Sequence, residues 1–387
     1  MMLRAAAPSL LVLVVLVAAC HAGGAAGAAA KPAGADDPTL VYDEASQRAG
    51  RGDRDGALAL LERLDAGGWS FCPADRDMPG LVGLPRYREL CARMAARGPR
   101  VERATVAMTL ADPGLAPEGI AYDDDRQAVF VGSVVQRKIV RIGADGVPHE
   151  FATRASGLYA VLGVRVDAPH GLLWAASAAF PGVDGVDARD TGKSALFAFD
   201  LESGALREQL PVNDGRSHQL NDVAIGPDGA AYVTDTEAGV VWRHLPGGHG
   251  LEQFLPAGSV RYANGIACDG TRLLVAYLQG IAVVPLAGGE RAELTVPPGL
   301  TLGGLDGLYV DDDLLLGIQN GFGSTRVVRA DLDARHATAL RVTVLESAHP
   351  ALATATTGAL VRRDRRLLVI AQGDRQPPTI LSVPIDP

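Results

Sequence analysis

From Thr105 onward the chain is written in short apolar runs rich in Val, Leu and Ala. Each is cut off by Gly, Asp or Pro, and no long amphipathic helical pattern interrupts them. One pattern recurs six times: a small or acidic residue, two or three apolar positions, a polar turn, then a second apolar run. The copies are "EGIAYDDDRQAVFVGS", "LGVRVDAPHGLLWAAS", "NDVAIGPDGAAYVTDT", "NGIACDGTRLLVAY", "DGLYVDDDLLLGIQ" and "TGALVRRDRRLLVIAQ". Their second residues, Gly119, Gly163, Asp222, Gly265, Gly307 and Gly358, stand at intervals of 44, 59, 43, 42 and 51 residues. A period of this size in an all-β pattern predicts blades of four strands, and six copies predict a six-bladed β-propeller over residues 101–387.

A helical pattern precedes it, over residues 38–100. Ala45, Ala49, Ala57, Leu58 and Leu61 recur at spacings of three and four, "GD" breaks the pattern between two helices, and "LPRYRELCARMAAR" predicts a further one. The hairpin resembles a single tetratricopeptide-type unit. One such unit cannot bury its own face, so the segment reads as a cap or spacer packed on the main domain, with a protein contact through it as the alternative.

The first 19 residues hold one early positive charge, Arg4, an apolar run from Leu10 to Val17, then small residues before Cys20. The run is short for a bilayer span, and "VAAC" resembles the lipobox of bacterial lipoproteins, in which the cysteine is lipidated and the preceding peptide removed. Residues 20–37, rich in Ala and Gly, read as a flexible tether. The expectation is an exported protein, lipid-anchored through Cys20 in the bacterial cell envelope, on the periplasmic side or at the cell surface.

Composition narrows the choice of partners. A net charge of −9 argues against a nucleic-acid footprint, and "RRDRR" at 362–366 reads as a solvated turn between two strands. Beyond Cys20 only Cys72, Cys91 and Cys268 remain. Cys72 and Cys91 lie in one small segment, where a disulfide and two free thiols are both open.

Candidate chemistry sits at the first residue of each repeat: Glu118, Leu162, Asn221, Asn264, Asp306 and Thr357. Equivalent inner-strand starts converge on a propeller's axis. Four of these six carry a carboxylate or amide oxygen, a hard-cation donor set: calcium first, magnesium or manganese next, zinc less natural. Any one of the four taken singly reads as a turn residue; their coincidence at one repeat position points to a metal. Asp222, where most copies have Gly, reads as a group that fixes the local backbone or a neighbouring amide. Asp184, Asp187 and Asp190, in extra chain within the 59-residue interval, read as a solvated loop.

"PEGIAYD", "LNDVAIGPDGAAYVTD", "YANGIACDG" and "LDGLYVD" together resemble the gluconolactonase/regucalcin (senescence marker protein) family over residues 105–387. That resemblance implies one divalent metal in the channel held by Glu118, Asn264 and Asp306, with Asn221 as ligand or substrate contact. It implies hydrolysis of a lactone or related ester; in such an enzyme Asp306 is the first choice for general base, and His218 reads as either a helper near the substrate or a surface or hydrogen-bonded loop histidine. The Arg that often precedes the "ND" pair is replaced here by His218, Gln219 and Leu220. The alternative function is a non-catalytic propeller, stabilised by calcium, that binds a ligand or envelope protein.

Overall fold

The computed structural model describes residues 37–70, 72–371 and 377–386. The leader, Cys20 and the tether lie outside the described residues. Among the described residues no helix is long and apolar enough to cross a membrane.

Three helices come first: α1 (Pro38–Gly50), α2 (Arg54–Ala66) and α3 (Pro85–Ala95). Asp37 caps α1 and Asp53 caps α2 through their side chains. The five residues that set the helical spacing, Ala45, Ala49, Ala57, Leu58 and Leu61, are all buried, together with Tyr87, Leu90 and Met94 of α3. A disulfide joins Cys72 to Cys91 and ties the start of the inter-helix connection to α3.

The strands follow in groups of four. After β1 (Thr105–Thr109), blade one holds β2 (Pro117–Asp123), β3 (Ala128–Ser133), β4 (Ile139–Ile142) and β5 (Pro148–Ala152). Blade two holds β6 (Ala160–Asp167), β7 (Leu172–Ala178), β8 (Ser194–Asp200) and β9 (Leu206–Pro211). Blade three holds β10 (Leu220–Ile225), β11 (Ala231–Asp235), β12 (Val240–His244) and β13 (Glu252–Leu255). Blade four holds β14 (Ile266–Cys268), β15 (Arg272–Tyr277), β16 (Gly280–Pro285) and β17 (Ala292–Glu293). Blade five holds β18 (Leu305–Asp311), β19 (Leu314–Gln319), β20 (Arg326–Leu332) and β21 (Ala339–Glu346). Blade six is completed from both ends: β22 (Gly358–Val361), β23 (Arg366–Ala371) and β24 (Thr379–Pro384) pair in order, and β1 adds the outer strand against β24. The chain is thus a six-bladed β-propeller, and each innermost strand touches the next around a closed ring.

The crowding of those inner strands explains the repeat's glycine. A Cβ on Gly163 would stand 2.4 Å from the Asn221 carbonyl of the next blade, and one on Gly265 would stand 2.4 Å from the Asp306 carbonyl. The blades can approach this closely only where that side chain is missing.

The helical segment lies over one mouth of the ring, against blades four and five. Its core continues into Leu278, Phe322 and Tyr262. Tyr42 meets Phe322 edge-on at 5.3 Å, Asp43 pairs with Arg261 at 3.0 Å, and Arg76 donates to the Asn320 carbonyl at 3.3 Å. The closest approach is at Gly323, φ +92°, where a Cβ would sit 1.7 Å from the Cys72 carbonyl oxygen.

Candidate active site

At the mouth covered by the helices, the inner strands change register. The irregularities fall between Pro117 and Ile120, Val161 and Val164, Leu220 and Val223, and Leu305 and Leu308. Each brackets the first residue of a repeat, and such bulges turn side chains out of the ordinary pleat. Left-handed backbone at Ala116 (φ 42°) and Tyr262 (φ 56°) stands just before Glu118 and Asn264. The outcome is one cavity lined by Glu118, Asn221, Asn264 and Asp306, with Leu162 of blade two also at the wall.

Asp306 is the most tightly held of the four. It is buried, and its Oδ2 accepts from Asn320 Nδ2 at 2.6 Å. Burial pushes its carboxyl up to about 7, against the hydrogen bond from Asn320, with the Asp222 carboxylate adding to the rise and the Asn264 amide opposing it. Burial, and then Asp306 itself, push Glu118 well above the ordinary range. Two carboxyls driven up in this way are set to receive positive charge. The Asn264 Oδ1 points the same way, being buried with no hydrogen-bond donor. Two carboxylates and amide oxygens form a donor set that fits a hard divalent cation. Among the described residues no group of three or more His, Cys, Asp or Glu is placed to hold a metal, so any ion in this channel depends on the amides.

Asn221 donates to the Thr236 hydroxyl at 2.9 Å and faces the same cavity. Asp222 turns to the backbone, accepting from Val223 N at 2.8 Å and Ile266 N at 3.2 Å. Arg165 lies 3.6 Å from Asp222, over the Tyr309 ring.

The structure does not bring His218 into the cavity. Its Nδ1 lies 2.6 Å from Asp235 Oδ2 and its Nε2 2.7 Å from Asp214 Oδ1, so both ring nitrogens are committed to a buried clamp. The neighbouring Gln219 lines the cavity in its place.

Sequence reasoning missed a second repeat position. Val134, Thr236, Leu278 and Asn320 each directly follow the second strand of their blade, and all four line the cavity. Asn320 stands to Asp306 as Thr236 stands to Asn221, a donor or acceptor supplied from within the same blade. The rest of the wall is apolar: Leu162, Phe180, Leu278 and Phe322, with Tyr262 and Tyr277. Phe180 belongs to the extra chain of blade two. The carboxylates there face away, with Asp187 paired to Arg189 and Asp190 to Lys193. Among the described residues no Arg, Lys or His lines it.

No protein-family model and no curated protein matches the chain. Solved structures do. A gluconolactonase from Xanthomonas campestris matches with TM-score 0.52 and 18% identity, over 74% of this chain and 98% of its own. A calcium-binding protein, regucalcin, from Agrobacterium tumefaciens matches with TM-score 0.53 and 17% identity, over 74% and 97%. An oxidoreductase described as a putative glucose dehydrogenase from Thermus thermophilus matches with TM-score 0.51 and 15% identity, over 73% and 99%. At these identities the likeness is one of fold, and the fold hosts several chemistries. The chain is a six-bladed propeller whose structural neighbours include gluconolactonase- and regucalcin-like proteins.

Proposed function

We propose that the protein is a metal-dependent hydrolase of lactones or related esters. The observation that carries this reading is the buried, donorless Asn264 Oδ1 in one cavity with two carboxyls that burial pushes up, Asp306 raising Glu118 further. Glu118, Asn264 and Asp306 would hold the ion, with Asn221 at its edge. Calcium fits this all-oxygen donor set best. A bound divalent cation supplies Lewis-acid polarisation of the substrate carbonyl and stabilises the developing oxyanion. Asn320 fixes the Asp306 carboxylate by a hydrogen bond, which leaves it positioned to accept a proton from the attacking water. Asn221, oriented by Thr236, and Gln219 are the polar groups left to orient the substrate.

The wall selects among lactones. Its aliphatic and aromatic side chains, without a cation, suit a neutral substrate with an apolar substituent better than a polyhydroxylated sugar acid. The structural neighbours named for gluconolactonase activity and for calcium binding lend support at the level of the fold. The test is a panel of alkyl and aryl lactones and esters, with and without chelator, on the wild type and Asp306→Asn. Turnover abolished by both chelator and substitution supports the reading; turnover indifferent to either overturns it.

A second reading is a calcium-stabilised propeller without turnover, favoured by the neighbour described as a calcium-binding protein. A calcium-dependent rise in melting temperature with no hydrolysis across the panel supports that alternative.

A further inference from the structure

Blade five carries a cation that no carboxylate among the described residues pairs with. Arg326, the first residue of β20, is partly buried, and its Nε donates to Gln319 Oε1 at 2.7 Å. That amide is neutral and otherwise committed, its Nε2 donating to the carbonyls of Thr301 and Gly303 at 3.2 and 2.6 Å. Nε is the only guanidinium nitrogen of Arg326 bonded to a described residue, and no described carboxylate pairs with it. Arg329, on the same strand, shows the usual solution, with Asp331 at 2.8 Å and Asp386 at 3.2 Å. Burial lowers the Arg326 pKa with nothing opposing it, yet a guanidinium remains charged in a protein. Its charge therefore calls for a partner that no described residue provides.

The side chain lines a cleft between the helical segment and blade five. Ser70, Arg100 and Ser324 line the same cleft, and among the described residues no carboxylate side chain does. Arg100 is exposed, and its contact with Glu102, at 3.7 Å, is loose. We propose that this cleft binds an oxyanion, a phosphate or carboxylate group, held by the two free guanidinium nitrogens of Arg326. Arg100 supplies the second charge, and the two serine hydroxyls are donors within reach of the cleft. Phe322 forms part of both this cleft and the channel cavity, and Gln319 directly precedes Asn320. An anion bound here would thus sit one side chain away from the candidate active site. The proposal stands independently of the hydrolase reading.

The test is calorimetric titration and thermal unfolding of the full chain with sodium phosphate and with sodium acetate, each against sodium chloride at equal ionic strength. Saturable binding and stabilisation by phosphate alone assign a phosphate-type ligand; the same by acetate assigns a carboxylate. Arg326→Gln is expected to weaken the binding roughly tenfold or more, as befits the loss of a charge-assisted donor pair. Ser324→Trp, at an exposed position, is expected to block the cleft without disturbing the packing of Arg326, and it decides the matter if Arg326→Gln does not fold. No response beyond that to chloride, or binding unchanged in both variants, overturns the proposal.

Discussion

Asn264 and Asp306 line the same cavity from neighbouring blades, and the Asn264 Oδ1 there stays buried without a donor. A group left so is a cost to the fold unless something electropositive meets it. Asn264→Ala is expected to lower calcium affinity. Asn320→Ala, which frees Asp306 without removing a ligand, is expected to lower it by about 10–100-fold. Calorimetric titration of chelator-treated protein reads both, and unchanged affinity in both would remove the metal from this channel.

Calcium should also stabilise the ring, because it neutralises two carboxyls that burial disfavours in their charged form. At roughly 100 times its dissociation constant the expected gain is about 2.7 kcal/mol. Thermal unfolding with calcium and with chelator measures it. In Glu118→Gln the gain should shrink markedly.

His218 gives a pH signature separate from the channel. Burial pulls its pKa down, but the hydrogen bonds to Asp235 and Asp214 outweigh this and push it up to about 8. A raised folded-state pKa stabilises fully below the unfolded value of about 6.5 and is lost as pH rises through about 8. The wild type is therefore expected to lose stability between those values, and His218→Gln to be less stable but flat over the same window. Turnover, where present, should survive the substitution, since the ring does not line the cavity.

Gly323→Ala is expected to destabilise the docking of the helical segment by about 3 kcal/mol, from left-handed backbone and a clash with the Cys72 carbonyl. Limited proteolysis should then cut within residues 38–95 while the propeller remains intact. The same cleavage should follow reduction of the Cys72–Cys91 bridge, which closes a loop of 19 residues and whose loss is expected to cost roughly 3 kcal/mol.

Glu346 is fully buried and receives the backbone N–H groups of Arg103 and Ala104 at 2.7 Å each, and those of Ser347, Ala348 and His349 at 2.8–2.9 Å. Burial raises its carboxyl, yet these donors together hold it below the ordinary range. A depressed pKa stabilises above the unfolded value and is lost as pH falls through the folded one. Glu346→Ala is expected to cost about 3 kcal/mol by stranding those donors, measured by urea unfolding at neutral pH. The penalty should shrink in acid.

The sequence declared the blades because each must repeat the same strand and turn pattern, and it declared Glu118, Asn221, Asn264 and Asp306 because the first residue of five of the six repeats, all but Thr357, lines the axial cavity. Asn320 and Thr236 escaped because they follow the second strand, where no shared residue type marks the position; aligning the ends of the second strands would have exposed them. The apolar wall was hidden for a different reason. Phe180 comes from an insertion and Phe322 from a loop shaped by the helical segment, so their meeting depends on tertiary packing. His218 looked available because its neighbours in sequence line the cavity, whereas its partners, Asp214 and Asp235, come from the preceding loop and the adjacent strand.

The pairing of β1 with β24 also sets an order of assembly. Five blades are made of consecutive strands and can form locally as the chain emerges, but the sixth needs a strand from the start of the propeller and three from its end. Closing that long loop is the step of greatest sequence separation, so it comes late and cooperatively. Until then Thr105–Thr109 is an open edge. The two contacts that Glu346 makes to Arg103 and Ala104 act on the lead-in to that edge, as a clasp that holds the strand's entry against blade five.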